Sequence, residues 1–249
     1  MSGHSKWASI KHKKGAADAK RGKLFTKLVK EIIVSAREGG GNPDMNPRLR
    51  LAISSAKGAN MPSSNIEKAI KRGTGEIEGL KYESYTYEGY GHNGVAIFIE
   101  ALTDNRQRTV AEIRHIFSRN GGNLAENGSV AWIFEQKGLI EIPKENLDED
   151  EIMMAALDAG AEDFSSENEN YEIYTAYSDL HTVLKNLEGA GYKTEKAELT
   201  RIPKNTVNAD NVAEKLLKLL DQLEDCDDIQ KVYSNFEISD EVMMRLSAD

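Results

Sequence analysis

A chain of 249 residues, 39% hydrophobic and 29% charged, has the composition of a soluble globular protein and room for two or three domains, each with its own core. The formal net charge is -9, yet residues 1–73 carry 16 Lys and Arg against 5 Asp and Glu, a local +11 that leaves -20 on residues 74–249. That imbalance points to a basic, polyanion-facing segment joined to an acidic body. The start lacks the apolar stretch of a secretory signal, and no run approaches the roughly 18–20 apolar residues of a membrane span. A lone cysteine, Cys226, cannot form an internal disulfide and suits a reducing cytoplasm.

The first fifteen residues, with "HSKWASIKHKKGAA", show no sustained period and are expected to be an arm. Lys6, Lys11, Lys13 and Lys14 supply charge, and Trp7, His4 and His12 supply rings. Cations beside stacking groups suit single-stranded or irregular nucleic acid. Taken singly, His4 and His12 read as solvated imidazoles, and no ligand spacing around them suggests a metal.

From about Ala16 to Glu38, Leu24, Phe25, Leu28, Val29, Ile32, Ile33 and Ala36 recur at helical spacing and define one apolar face. Lys20, Lys23, Lys27, Lys30 and Arg37 fall on the opposite side, predicting a line of outward cations. "GGGNPD" ends this helix. A second is predicted from Asn46 as N-cap and Pro47 as first helical residue. A third has Ser64 and Glu67 at capping-box spacing and stops at Gly73, leaving Lys68, Lys71 and Arg72 free to face out.

Next, "YESYTYEGYG" and "GVAIFIEAL" read as two strands around a glycine-rich turn. Gly89, Gly91 and Gly94 spell a dinucleotide fingerprint, but a strand follows where a helix is required, so the turn reading stands. Thr109 and Glu112 suggest a cap for the helix "VAEIRHIFSRN", and "NLAENGSVAWIFEQ" reads as a returning strand. A β-α-β-β-α-β series follows, the ferredoxin-like plan. An amphipathic helix, "NADNVAEKLLKLLDQLEDC", and a strand, "DIQKVYSNFEIS", close the chain and could complete the earlier set. The expected fold is α+β: an arm and three-helix bundle (1–78) followed by two ferredoxin-like α/β domains, a discontinuous one (79–134 and 204–249) and a second inserted within it (135–203).

Catalytic signals are sparse. The acids at 148–151 complement a helix dipole better than they suggest a metal. His115 and His181 read as structural or solvated, and acids beside Cys226 disfavour a reactive thiolate. No Walker-type run occurs. "TDNRQRT" at 103–109 stands out because Arg106 and Arg108 sit just ahead of an expected helix N-terminus, where cations are unfavourable. Either they hold an anion there or they pair with the acidic body.

"GHSKWASIKHKKGAADAKRGKLFTKL", "GGGNPDMNPRLR", "NMPSSNIEKAIKRG", "EALTDNRQRT" and "NGSVAWIFEQKG", in this order, resemble the YebC family. The resemblance covers nearly the whole chain and is looser beyond about residue 137. It implies three domains, no enzymatic activity, and a regulator of gene expression. Bacterial members of the family are described as DNA-binding transcriptional regulators, and the mitochondrial relative is a translational activator. The candidate nucleic-acid contacts are Lys6, Trp7, Lys11, Lys13, Lys14, Lys20, Lys23, Lys27, Lys30, Arg106 and Arg108. The partner is DNA or ribosomal RNA, with the ribosome as a further candidate. No catalytic residue, metal or cofactor is expected, and the chain is expected to be a cytoplasmic monomer. A nucleic-acid enzyme is disfavoured by the lack of an acid–base or metal cluster. Promoter binding is weakened by the lack of a convincing helix-turn-helix.

Overall fold

The computed structural model describes residues 17–145, 147–167 and 170–248. Two compact units divide the described chain: one runs to Phe134 and resumes at Pro203, and the other is Glu135–Ile202.

The first unit begins with three helices, α1 (Ala17–Gly39), α2 (Pro47–Gly58) and α3 (Ser63–Thr74). Ile32, Ile33 and Ala36 of α1 meet Leu49, Ala52 and Ala56 of α2 and Ile66 and Ala69 of α3 in one buried cluster. The spacing of these residues therefore places one apolar face per helix on a shared core. Asn46 caps α2, its side chain accepting from Leu49 N at 3.1 Å. The same side chain donates to the carbonyls of Ser35, at 2.8 Å, and Gly40, at 2.9 Å. One buried amide thus ties the end of α1 to the start of α2. Where α3 approaches α1, a Cβ on Gly73 would lie 2.5 Å from the Ile33 carbonyl oxygen, so this contact requires glycine. Helix α3 starts at Ser63, with Pro62 at its cap and no side-chain cap bond, rather than at the expected Ser64 box.

An antiparallel sheet follows in the same unit. Its strands are β1 (Glu83–Tyr90), β2 (Ala96–Thr103), β3 (Asn123–Ala125) and, from the end of the chain, β9 (Ile229–Ser234), in the order β3-β1-β2-β9. Helices α4 (Arg106–Arg119) and α7 (Ala213–Asp225) cover one face, burying Ile113, Phe117, Leu216, Leu220 and Leu223 with Ile97, Ile99 and Val232. Strand β2 is central and buried on both faces, which explains its nearly unbroken apolar run. On its other face Ala96 and Phe98 pack with Val130, Ile133, Phe134 and Tyr233. That covering segment replaces most of the expected long strand: β3 stops at Ala125, and a turn and a 3-10 turn (Ala131–Ile133) follow. Short strands β8 (Val207–Asn208) and β10 (Phe236–Glu237) pair in parallel, and an unanticipated helix, α8 (Asp240–Ala248), ends the described chain.

The second unit holds β4 (Phe134–Pro143), α5 (Glu149–Ala159), β5 (Asp163–Ser165), β6 (Asn170–Ala176), α6 (Leu180–Gly189) and β7 (Lys196–Pro203), with sheet order β5-β6-β4-β7. Asp148 caps α5 through the amides of Asp150 and Glu151, so this acidic run opens a helix. Both sheets share one plan. A strand–helix–strand crossover, β2-α4-β3 or β4-α5-β5, leaves a gap filled by an antiparallel strand, β1 or β6. The difference lies in chain order, since β1 precedes its crossover while β6 follows it. The fold is therefore α+β, three helices followed by two antiparallel sheets carrying helices.

Candidate nucleic-acid interface

The cationic row of α1 does not lie open to solvent as its helical position predicts. Lys23 Nζ donates to the Asp225 carbonyl at 3.2 Å and lies 3.4 Å from its carboxylate. Lys27 Nζ donates to the Glu224 carbonyl at 2.7 Å, and Lys30 Nζ to that of Asp227 at 2.9 Å. Lys23 and Lys27 thus meet the carboxyl end of α7, whose last carbonyls have no partner within the helix and whose dipole is negative there, and Lys30 meets the segment just beyond it. Lys23 and Lys27 keep partial exposure; Lys30 is 6% exposed and is a buried structural cation. Arg37 is exposed in the last turn of α1.

Lys30 belongs to a buried cluster around Asp228. One carboxylate oxygen accepts from Lys30 at 2.8 Å. The other accepts from Arg108 at 2.7 Å, Thr109 at 2.7 Å and Thr103 at 3.1 Å. Burial alone would raise the Asp228 pKa, but the hydrogen bonds of Lys30, Arg108 and Thr109 outweigh it and hold the carboxyl at about 2. Arg108 also meets Asp104 at 2.9 Å. Hydrogen bonds to Asp228 and then Asp104 hold its guanidinium even further above its ordinary range.

These contacts revise the reading of residues 103–109. Helix α4 starts at Arg106, capped by Asn105, whose side chain accepts from Arg108 N at 3.1 Å. Thr109 is inside the helix and buried, so the expected Thr109–Glu112 cap does not form. Of the two roles open to the arginines, Arg108 takes the pairing one. The Arg106 guanidinium lies 5.2 Å from the centre of the Tyr85 ring and keeps an exposed side chain. The arm residues Lys6, Trp7, Lys11, Lys13 and Lys14, with His4 and His12, lie outside the described residues, as does the side chain of Lys20.

Another cationic surface stands clear on α3. Lys68, Lys71 and Arg72 are exposed, share one helix face at spacings of three and four, and have no acidic partner among the described residues. Lys57, in the last turn of α2, is likewise exposed. Their outward position was visible in the sequence, because Ile66, Ala69 and Ile70 claim the inner face.

Among the described residues, no group of three His, Cys, Asp or Glu side chains is placed to hold a metal ion. Cys226 is buried, which pushes its thiol up to about 11 and keeps it protonated and inert at neutral pH. No helix of the described residues is long and apolar enough to cross a membrane.

Two family models match in succession: residues 5–76 match the "TACO1/YebC protein N-terminal domain", and residues 82–236 match the "TACO1/YebC second and third domain". A relative from Persephonella marina is 58% identical over 250 residues, spanning 99% of this chain and 100% of its own. One from Acidithiobacillus ferrooxidans is 59% identical, spanning 100% and 99%. Both bear the name "Probable transcriptional regulatory protein". The crystal structure of a conserved hypothetical protein from Aquifex aeolicus superposes with a TM-score of 0.87 at 51% identity, covering 95% of this chain and 98% of that one.

Proposed function

We propose that this chain, which belongs to the TACO1/YebC family, is a non-enzymatic regulator of gene expression that binds nucleic acid through its helical bundle. The names of its relatives support the regulatory part. The observation that carries the binding part is the α3 face: Lys68, Lys71 and Arg72 are exposed with no acidic partner among the described residues, in a protein whose net charge is -9. Cations held in this way serve phosphates, which position a nucleic acid without reading its sequence. The arm cations Lys6, Lys11, Lys13 and Lys14, with Trp7, add charge and a stacking ring in the same basic segment. Lys20, Lys23, Lys27 and Arg106 are secondary contacts, while Lys30 and Arg108 hold the fold that presents the others.

The target is either duplex DNA or RNA of the translation machinery. Salt titrations of the full chain against both test the proposal. Replacing Lys68, Lys71 and Arg72 with Gln should weaken binding and reduce the salt slope by about 0.9 per lost phosphate contact on duplex DNA, or about 0.7 on single strands. Unchanged affinity and slope would remove the α3 face from the function. Comparing promoter DNA with ribosomal RNA in the same assay decides between the targets.

A further inference from the structure

The segment between β3 and β4 presents an aromatic ring to solvent on a firmly anchored turn. Glu88 is 3% exposed and sits mid-strand on β1, paired with Phe98 of β2. Its carboxylate accepts from the amides of Gly128 at 2.7 Å, Val130 at 2.6 Å and Ala131 at 2.8 Å. A buried charge is tolerated only when so fully bonded, and here all three bonds go to one loop. Gly128, at φ 91°, supplies the left-handed residue of the turn closed by Ser129 N on the Glu126 carbonyl. Val130, Ile133 and Phe134 anchor the segment in the core.

Between these anchors Trp132 is 67% exposed. Its indole N–H is already committed to the Ser129 carbonyl at 3.0 Å, which also accepts from Tyr90 Oη at 3.1 Å. The indole therefore offers its π-faces rather than a donor. One residue on, the Ile133 carbonyl accepts from the backbone N–H of Lys204 at 2.8 Å, and the Lys204 side chain is exposed with no acidic partner among the described residues.

We infer that Trp132 and Lys204 form a second nucleic-acid contact, in which an unpaired RNA base stacks on the indole and an adjacent phosphate meets the lysine. The chemistry selects this ligand. A base in a duplex keeps its faces covered, so only an unpaired one can stack. An arginine of a protein partner could also stack on tryptophan, but Lys204 repels a cation and attracts a phosphate. Glu88 spends its carboxylate on three backbone amides, Glu135 is paired with Lys137 at 2.9 Å, and Glu126 is the exposed acid of the turn itself. The inference rests on the nucleic-acid reading above and adds to it the form of nucleic acid recognised away from the bundle.

The chain has two tryptophans, so a Trp7→Phe protein reports Trp132 alone. Single-stranded RNA should quench its emission in step with the rise in anisotropy of labelled RNA, while a fully paired, blunt-ended RNA duplex should bind with little quenching. In that background Trp132→Ala should weaken single-strand binding about tenfold, given the usual contribution of a stacked base, and leave affinity for the blunt-ended duplex unchanged. Trp132→Phe should recover part of the loss and serves as the test if the alanine variant melts early. Lys204→Gln should lower the single-strand salt slope by about 0.7. RNA binding with unaltered emission and equal affinities for all variants would overturn this site and leave the bundle reading intact. Quenching by an arginine-rich peptide and not by RNA would overturn it in favour of a protein ligand. Failure of the Trp7→Phe and unaltered proteins to bind RNA or DNA would remove both readings.

Discussion

Replacing Asp228 with Asn tests whether the buried cluster holds the bundle on the sheet. At neutral pH the carboxylate bonds Lys30, Arg108, Thr109 and Thr103. Its pKa falls from 3.8 to about 2, a shift that corresponds to about 2.5 kcal/mol of stability from ionisation alone. The sign follows from the direction: a depressed folded-state pKa contributes fully above about pH 4 and is lost as pH falls toward about 2. Asn keeps the shape but loses the charge and turns an amide N–H toward donors, and it strands Lys30 at 6% exposure. Urea unfolding at pH 7 should therefore show a loss of about 3 kcal/mol, within the range for breaking a buried ion pair. The gap to the unaltered protein should narrow between about pH 4 and pH 2. The double variant Lys30→Met, Asp228→Asn should be less destabilised than the two single losses added together, because the stranded cation is gone. A gap that does not change with pH, together with strictly additive losses, would refute this account.

Replacing Lys23 and Lys27 with Gln should cost about 0.5–1.5 kcal/mol in urea unfolding, as the carboxyl end of α7 loses two cationic partners, while nucleic-acid affinity falls far less than on removing the α3 cations. Asn46→Ala should cost about 2–3 kcal/mol in the same measurement, since it deletes a helix cap and two hydrogen bonds, a buried one to Ser35 of α1 and one to Gly40 just past its end.

The local parts of this architecture were legible because they depend on neighbours in sequence. The apolar spacing of Ile32, Ile33 and Ala36, the Asn46–Pro47 start and the acids opening α5 each act within one or two helical turns. The errors came where distant residues decide. Lys30 occupies the charged side of its helix by every local measure, but its partner Asp228 is 198 residues away. Thr109 has the chemistry of a cap, but Asn105 lies one turn earlier, and the Thr109 hydroxyl is taken by Thr103 and Asp228. The strand expected through Trp132 failed because Glu88 turns the backbone amides of Gly128, Val130 and Ala131 toward itself, leaving them unable to join a ladder. Helix α8 carried a readable signal in Asp240 and Glu241 of its first turn and Arg245 of its last.

The grip of Lys23, Lys27 and Lys30 on residues 224–228 also sets a timetable for synthesis. Helix α1 leaves the ribosome long before the segment that receives it, and at typical elongation rates a gap of 198 residues lasts roughly 10–40 s. The bundle can gather its own core in that interval, since all three helices come from the first third of the chain. Its lysine row, however, has no α7 terminus to rest on, and β2 has no β9 on its outer edge. The nascent protein is therefore more cationic on its surface, and stickier toward polyanions, than the finished one. A truncated chain that stops short of Asp228 preserves that immature state, and its binding to nucleic acid reports charge that the complete fold later neutralises.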